Sequence, residues 1–123
     1  MTAAADTATV LPDALGPAAR EFLSRPQQLL IGEERLDAAD GATFVTLDPS
    51  SGREIATVAQ AGDEDVQRAV AAARRALEEG PWASMPATGR EQLMRALAQA
   101  IEDHDQELAE LESLDNGKPV GLA

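Results

Sequence analysis

Hydrophobic positions along this chain change their spacing twice, and each change predicts a different kind of structure. Residues 1 to about 12 are rich in alanine and threonine without any period, which predicts disorder at the start of a flexible leader spanning residues 1–26. Within that leader, Asp13 to Ser24 can form a short amphipathic helix through Leu15, Ala19, Phe22 and Leu23, weakened by Gly16-Pro17 and ended by Pro26. From Gln27 the punctuation becomes that of strands. QQLLI is an apolar run, GEE a turn, RLD a short return strand, and AADG the next break. TFVTL and REIATVA follow as β-branched segments on either side of DPSSG, whose early proline and closing glycine suit a tight reversal. The expectation is a meander of short strands over residues 28–60, too small to be stable unless one face is covered.

Helical spacing takes over at Gly62-Asp63. Asp63 is the expected N-cap, with Glu64 and Asp65 in a first turn where the helix dipole favours negative charge. Val66, Val70, Ala73 and Leu77 recur every three or four residues, which draws a narrow apolar stripe along a helix over residues 63–79, stopped by Gly80-Pro81. PWASMPA is a connector in which Trp82, the largest apolar group, is read as a packing plug rather than a ligand contact. A second helix is expected over residues 88–114, with capping-box spacing between Thr88 and Glu91 and one face made of Leu93, Met94, Leu97, Ile101, His104, Leu108 and Leu111. At this length it would run roughly 40 Å and be the longest element of the chain. The fold class is therefore an α+β fragment, an antiparallel meander followed by two helices.

Composition turns that pattern into a problem of burial. Of 123 residues, 25 are alanine and only 25 are Leu, Ile, Val or Phe, close to the level of roughly 20% at which charged chains stop folding alone. Alanine supplies helix propensity but little buried area. A sealed core is not expected, and the helices read as pieces shaped to lie against something larger. The net charge of −12 argues against nucleic acid or an anionic membrane as partner, since both need clustered basic residues and Arg74-Arg75 is the one adjacent pair. No run reaches membrane-spanning length and the first twenty residues lack the basic and apolar parts of an export signal, so a cytoplasmic location is expected.

Little of the chain carries chemistry. There is no cysteine, hence no thiolate nucleophile, disulfide or thiolate metal site. The glycines form neither G-x-G-x-x-G nor a P-loop, so no dinucleotide cradle is encoded. His104, the single histidine, sits on an apolar helix face with no nucleophile nearby and is read as filler rather than a general base. The acidic run over residues 102–107 fans around a helix and is read as a solvated face. The closing LESLDNGKP reads as a helix stop, with Asn116 or Gly117 left-handed, Lys118 complementing the dipole and Pro119 forbidding continuation. Asp115 is the exception: an anion at the negative end of a helix, which suits a nearby cation coordinated by hard oxygen donors.

Three stretches, TLDPSSGREIATV, the helix DEDVQRAVAAARRAL followed by PW, and LESLDNGKP, together resemble the N-terminal part of the NAD(P)-dependent aldehyde dehydrogenases, over about Gln27 to Pro119. FLSRPQQLLI is further similar to the leader of members acting on aryl-acetaldehydes. The resemblance implies the N-terminal part of an aldehyde dehydrogenase-like α/β fold, with residues 27–123 a partial region packing on a Rossmann-like cofactor domain. It implies a parent reaction in which an aldehyde and water become a carboxylic acid, with NAD or NADP accepting the hydride. In that family a cysteine nucleophile, a glutamate base, an asparagine oxyanion donor and the nucleotide-binding strands all lie downstream of the matching region. The expectation is thus a truncated or partial dehydrogenase, inert alone and binding no cofactor alone, whose partner is the remainder of the fold or a full-length subunit. The alternative is a non-catalytic interaction module docking through its alanine-rich stripe, residues 66–77, on a partner or on a full-length dehydrogenase subunit. The resemblance also implies a partial monovalent-cation site from the Leu47 carbonyl and the Asp115 carboxylate. Asp48 stands where the family more often has Asn, which leaves the bonding of that turn to be established.

Overall fold

The computed structural model describes residues 11–123. Helix α1 spans Pro17–Leu23, strands β1 and β2 span Leu29–Ile31 and Glu34–Leu36, and strands β3 and β4 span Thr43–Leu47 and Glu54–Ala59. Helix α2 covers Asp63–Glu78, the single turn α3 Pro81–Ser84, α4 Ala87–Asp103 and α5 Asp105–Asn116, before a 3₁₀ turn at Val120–Leu122. Residues 1–10 of the expected leader lie outside the described residues. The strands between residues 28 and 60 form two separate antiparallel pairs, β1 with β2 and β3 with β4. What stitches them is the segment before β1: Ala59 N–H donates to the Gln27 carbonyl at 2.8 Å, and Gln27 bridges Val58 in parallel.

The apolar core is small. Leu15, Ala19, Ile55 and Leu114 are buried together, with Leu11, Leu23, Ala56 and Leu111 packed around them. It lies where α1, β4 and α5 meet, so the helical part of the leader seats on the body of the fragment.

The helix expected over residues 88–114 is broken in two. His104 leaves helical geometry at φ −115° and ψ 19° and serves as both the end of α4 and the start of α5. The break falls in Asp103-His104-Asp105, three residues of modest helix propensity whose short polar groups compete for backbone bonds. The Asp105 carboxylate accepts the Gln106 N–H at 2.6 Å, which satisfies one of the free donors at the new helix start. Re-aimed in this way, α5 brings Glu110 and Leu114 onto α1 and the core. By contrast α4 buries none of its residues.

Two buried carboxylates hold these elements in place. Asp65 is 2% exposed, the largest fully buried side chain, and accepts the Gly62 N–H at 3.1 Å and the Ala39 N–H at 3.2 Å. It therefore ties the start of α2 to the loop between β2 and β3. The N-cap is Gly62 rather than the expected Asp63, because the third helical residue reaches back to it. Glu110 accepts the Gly16 N–H at 2.8 Å and the Gln106 side-chain N–H at 2.9 Å, so α5 caps the first turn of α1. A methyl group on Gly16 would stand 2.8 Å from the Glu110 oxygen, so the carboxylate would have to shift from its present seat. Backbone donors at Gly62 and then Ala39, helped by the Arg68 charge, hold the Asp65 carboxyl below its ordinary range against the opposing effect of burial. Gln106 and then Gly16 do the same for Glu110.

Both groups have folded pKa values depressed below the unfolded ones, so the folded chain binds fewer protons. Their stabilisation is complete above the ordinary values of 4.5 for Glu110 and 3.8 for Asp65, and is lost as pH falls through the lower folded values. Amide exchange followed from pH 6 downward should show protection at Ala39, Gly62 and Gly16 collapsing only in the acid range. The Asp65→Ala chain should lack that protection at Ala39 and Gly62 at every pH.

Gly117 carries a second expectation. Its φ is +79°, and a methyl group there would stand 3.1 Å from Pro49 Cγ. Left-handed geometry costs a non-glycine residue about 1–2 kcal/mol, so Gly117→Ala should destabilise the end of α5 by that amount, read from denaturant melts by circular dichroism.

Candidate functional site

Two segments singled out by the sequence meet at one corner of the molecule: the turn after β3 and the end of α5. The turn is built around Asp48, which is buried. Its carboxylate accepts the Ser50 N–H at 2.8 Å, the Ser50 hydroxyl at 2.7 Å and the Ser51 hydroxyl at 2.5 Å. Its own N–H donates to the Arg53 carbonyl at 2.9 Å, and its carbonyl accepts the Gly52 N–H at 2.7 Å. Asp48 thus closes the reversal as a side-chain turn, and the two serines that follow Pro49 supply the donors an anion needs. The Ser51 and Ser50 hydroxyls, more than any charge, hold its pKa below the usual carboxylate range.

Helix α5 ends as the sequence predicts. Gly117 is the left-handed cap and its N–H donates to the Ser113 carbonyl at 2.9 Å. Lys118 N–H donates to Asn116 Oδ1 at 2.8 Å, while Lys118 Nζ reaches Glu112 at 3.0 Å and lowers its pKa by bonding and by charge. Because Gly117 abuts Pro49, the two segments are in contact through these residues.

Leu47 is the last residue of β3 and Asp115 lies in the final turn of α5, so contact between Pro49 and Gly117 places both candidate donors on neighbouring segments. A main-chain carbonyl and a carboxylate are the hard oxygens a monovalent cation takes, but two donors do not complete a coordination shell. Among the described residues, no group of three or more His, Asp or Glu side chains converges as a metal site. His104 is exposed and its Nδ1 pairs with Glu107 at 3.0 Å. The acids around it bond to neighbouring glutamines, as in Gln99 to Asp103 at 2.9 Å.

The larger feature is apolar. Val66, Val70 and Leu77 on α2 stand 54%, 57% and 66% exposed, and Leu93, Met94, Leu97 and Ile101 on α4 are each about half exposed. Phe44, Val45 and Leu47 leave β3 uncovered as well. Trp82, expected as a plug, is 41% exposed, with the Arg90 guanidinium 5.9 Å from its ring centre, because no apolar layer among the described residues lies against it. Scattered apolar side chains are ordinary on a surface, but whole helical stripes are the mark of an interaction face. Sequence spacing found those stripes. It missed Asp65 and Glu110, whose partners are backbone groups 26 and 94 residues away; the position of Asp65 three residues after Gly62 was the available signal for the first. No helix among the described residues is long and apolar enough to cross a membrane.

Comparison with known proteins gives this face a context. Residues 36–123 match the aldehyde dehydrogenase family. The chain is 53% identical over 92 residues to a mitochondrial benzaldehyde dehydrogenase of Antirrhinum majus, covering 75% of this chain and 17% of that protein. It is 44% identical over 98 residues to an aminoacetaldehyde dehydrogenase of Pseudomonas aeruginosa, covering 80% of this chain and 20% of that one. The NAD+ complex of a Bacillus cereus aldehyde dehydrogenase superposes with a TM-score of 0.85 at 44% identity, over 89% of this chain and 22% of that chain. The chain spans about a fifth of the length of these relatives, and the match, strong in both sequence and three-dimensional shape, places it in the aldehyde dehydrogenase family as an N-terminal segment.

Proposed function

We propose that these residues are the outer N-terminal layer of an NAD-linked aldehyde oxidation catalyst, and that their task is to cover and brace the rest of a dehydrogenase fold. The supporting observation is the uncovered apolar stripes of α2 and α4 in a chain a fifth as long as its relatives. Burying a Val, Leu, Ile or Met side chain is worth roughly 1.5–3 kcal/mol, so the stripes are a strong adhesive for a matching surface and an unfavourable one to leave in water. The partner in this reading is the remainder of the dehydrogenase fold, whether in the same polypeptide or a full-length subunit. NAD+, when bound there, would accept the hydride. This chain has no cysteine to form the covalent intermediate and no glycine cradle for the pyrophosphate, so by itself it performs no step of the reaction. The aldehyde would be selected by residues other than these. Cytoplasmic residence is part of the same proposal; the Antirrhinum majus relative is, by contrast, named a mitochondrial protein.

A chimera provides the test. Replacing the matching first fifth of the Bacillus cereus dehydrogenase by this chain should keep NAD-dependent aldehyde oxidation within about tenfold of the parent, since exchange of volume-conserving apolar contacts is tolerated. The isolated chain should give no NADH with any aldehyde. Turnover by the isolated chain, or a chimera that folds but is dead, contradicts the reading.

The cation site from Leu47 and Asp115 is proposed on the same footing, supported by contact between their two segments. In the chimera, potassium should raise the melting temperature by a few degrees, roughly what 1 kcal/mol yields in a domain of this size class. Asp115→Ala should abolish that potassium dependence; an unchanged dependence removes Asp115 from the site.

A further inference from the structure

Asn116-Gly117 is the one Asn-Gly pair in the sequence. In such a pair the following residue has no Cβ to hinder its backbone nitrogen, which makes the asparagine amide open to intramolecular attack. We propose that Asn116 is a site of spontaneous deamidation that stays closed while the end of α5 is seated on the Pro49 turn and opens when that end comes away.

The chemistry needs only water. The Gly117 nitrogen gives up its proton and bonds to Asn116 Cγ; the Cγ–Nδ2 bond breaks and ammonia leaves, giving a five-membered succinimide. Water then opens either ring carbonyl, yielding aspartate or isoaspartate.

Each requirement of the first step is blocked in the structure. The attacking N–H is committed to the Ser113 carbonyl at 2.9 Å. The amide it must reach is pinned, because Asn116 Oδ1 accepts the Lys118 N–H at 2.8 Å. Asn116 is itself still helical, and ring closure requires its backbone to rotate out of that geometry. Gly117 in turn is held against Pro49, where even a methyl group would be crowded at 3.1 Å. Freed of these contacts, the exposed Asn116 meets no obstacle.

The product would not reseat. Either acid adds a second anion beside Asp115 at the end of α5 where the dipole disfavours negative charge. Isoaspartate also lengthens the main chain by a methylene, which displaces Gly117 from Pro49. The reaction therefore converts a transient opening of this corner into a permanent one.

The test is peptide mapping by mass spectrometry of the intact chain held at neutral pH with and without urea, with Asn116→Gln as the chain that cannot react at the same rate. Asn116 should be lost roughly tenfold or more slowly without urea, the ratio reporting the population of seated over open ends. Pro49→Gly, which removes the seat but none of the reacting atoms, should speed the loss without urea. Equal rates with and without urea, no loss in urea, or a Pro49→Gly chain as slow as the parent would each overturn the proposal.

Discussion

Everything about this molecule follows from a shortage of inward-facing surface. Helices α2 and α4 are amphipathic, and an amphipathic helix gains most of its stability from burying its apolar stripe rather than from propensity alone. Here the cluster of buried apolar residues among the described residues lies between α1, β4 and α5, and neither α2 nor α4 contributes a side chain to it. The described residues present the face of an outer layer, and among them no second layer lies against α2 and α4.

That shortage explains which parts of the structure are well tied and which are not. The α1–α5 corner is closed by the core and by Glu110 reaching across to Gly16. The start of α2 is fastened by Asp65 to the loop after β2. Beyond its first turn α2 runs on with its apolar stripe open, and α4 follows with no buried residue at all. Membership of the aldehyde dehydrogenase family supplies the reason. A segment that makes up a fifth of its relatives' length need not enclose its own core, provided its faces match what covers them.

Local features were legible in the sequence because their causes are local. The stop at Gly117 needs a glycine in left-handed geometry and a proline soon after, and both are adjacent in the chain. The strand reversal at Asp48 needs an acceptor followed by donors two and three residues on, which Ser50 and Ser51 supply. The break at His104 was hidden because the apolar period runs straight through it, from Ile101 to Leu108, so spacing alone predicts continuity. Three short polar residues, Asp103, His104 and Asp105, allow the break, and what it achieves is distant: α5 sets the Glu110 carboxylate against Gly16. A bond spanning 94 residues leaves no trace in a local pattern. The contact of Pro49 with Gly117 is of the same kind: both residues were read as turn formers, and only the folded chain brings their turns together.

The division between polar and apolar groups carries the argument furthest. Among the described residues no buried side-chain nitrogen or oxygen lacks a hydrogen-bond partner, and the three buried acids each have at least two donors. Bonding of the buried polar side chains is complete among the described residues, while apolar burial is not. The asymmetry is what assembly from layers requires. An apolar stripe gains free energy when a matching surface arrives, so it can be left open until then. A buried donor or acceptor lacking a partner costs free energy at once, and once water is expelled no later contact is certain to supply the missing bond. A surface that is to be covered therefore does best with its polar side chains already bonded and its apolar ones open, and the buried Asp48, Asp65 and Glu110 beside the exposed Val70, Leu97 and Ile101 follow that division.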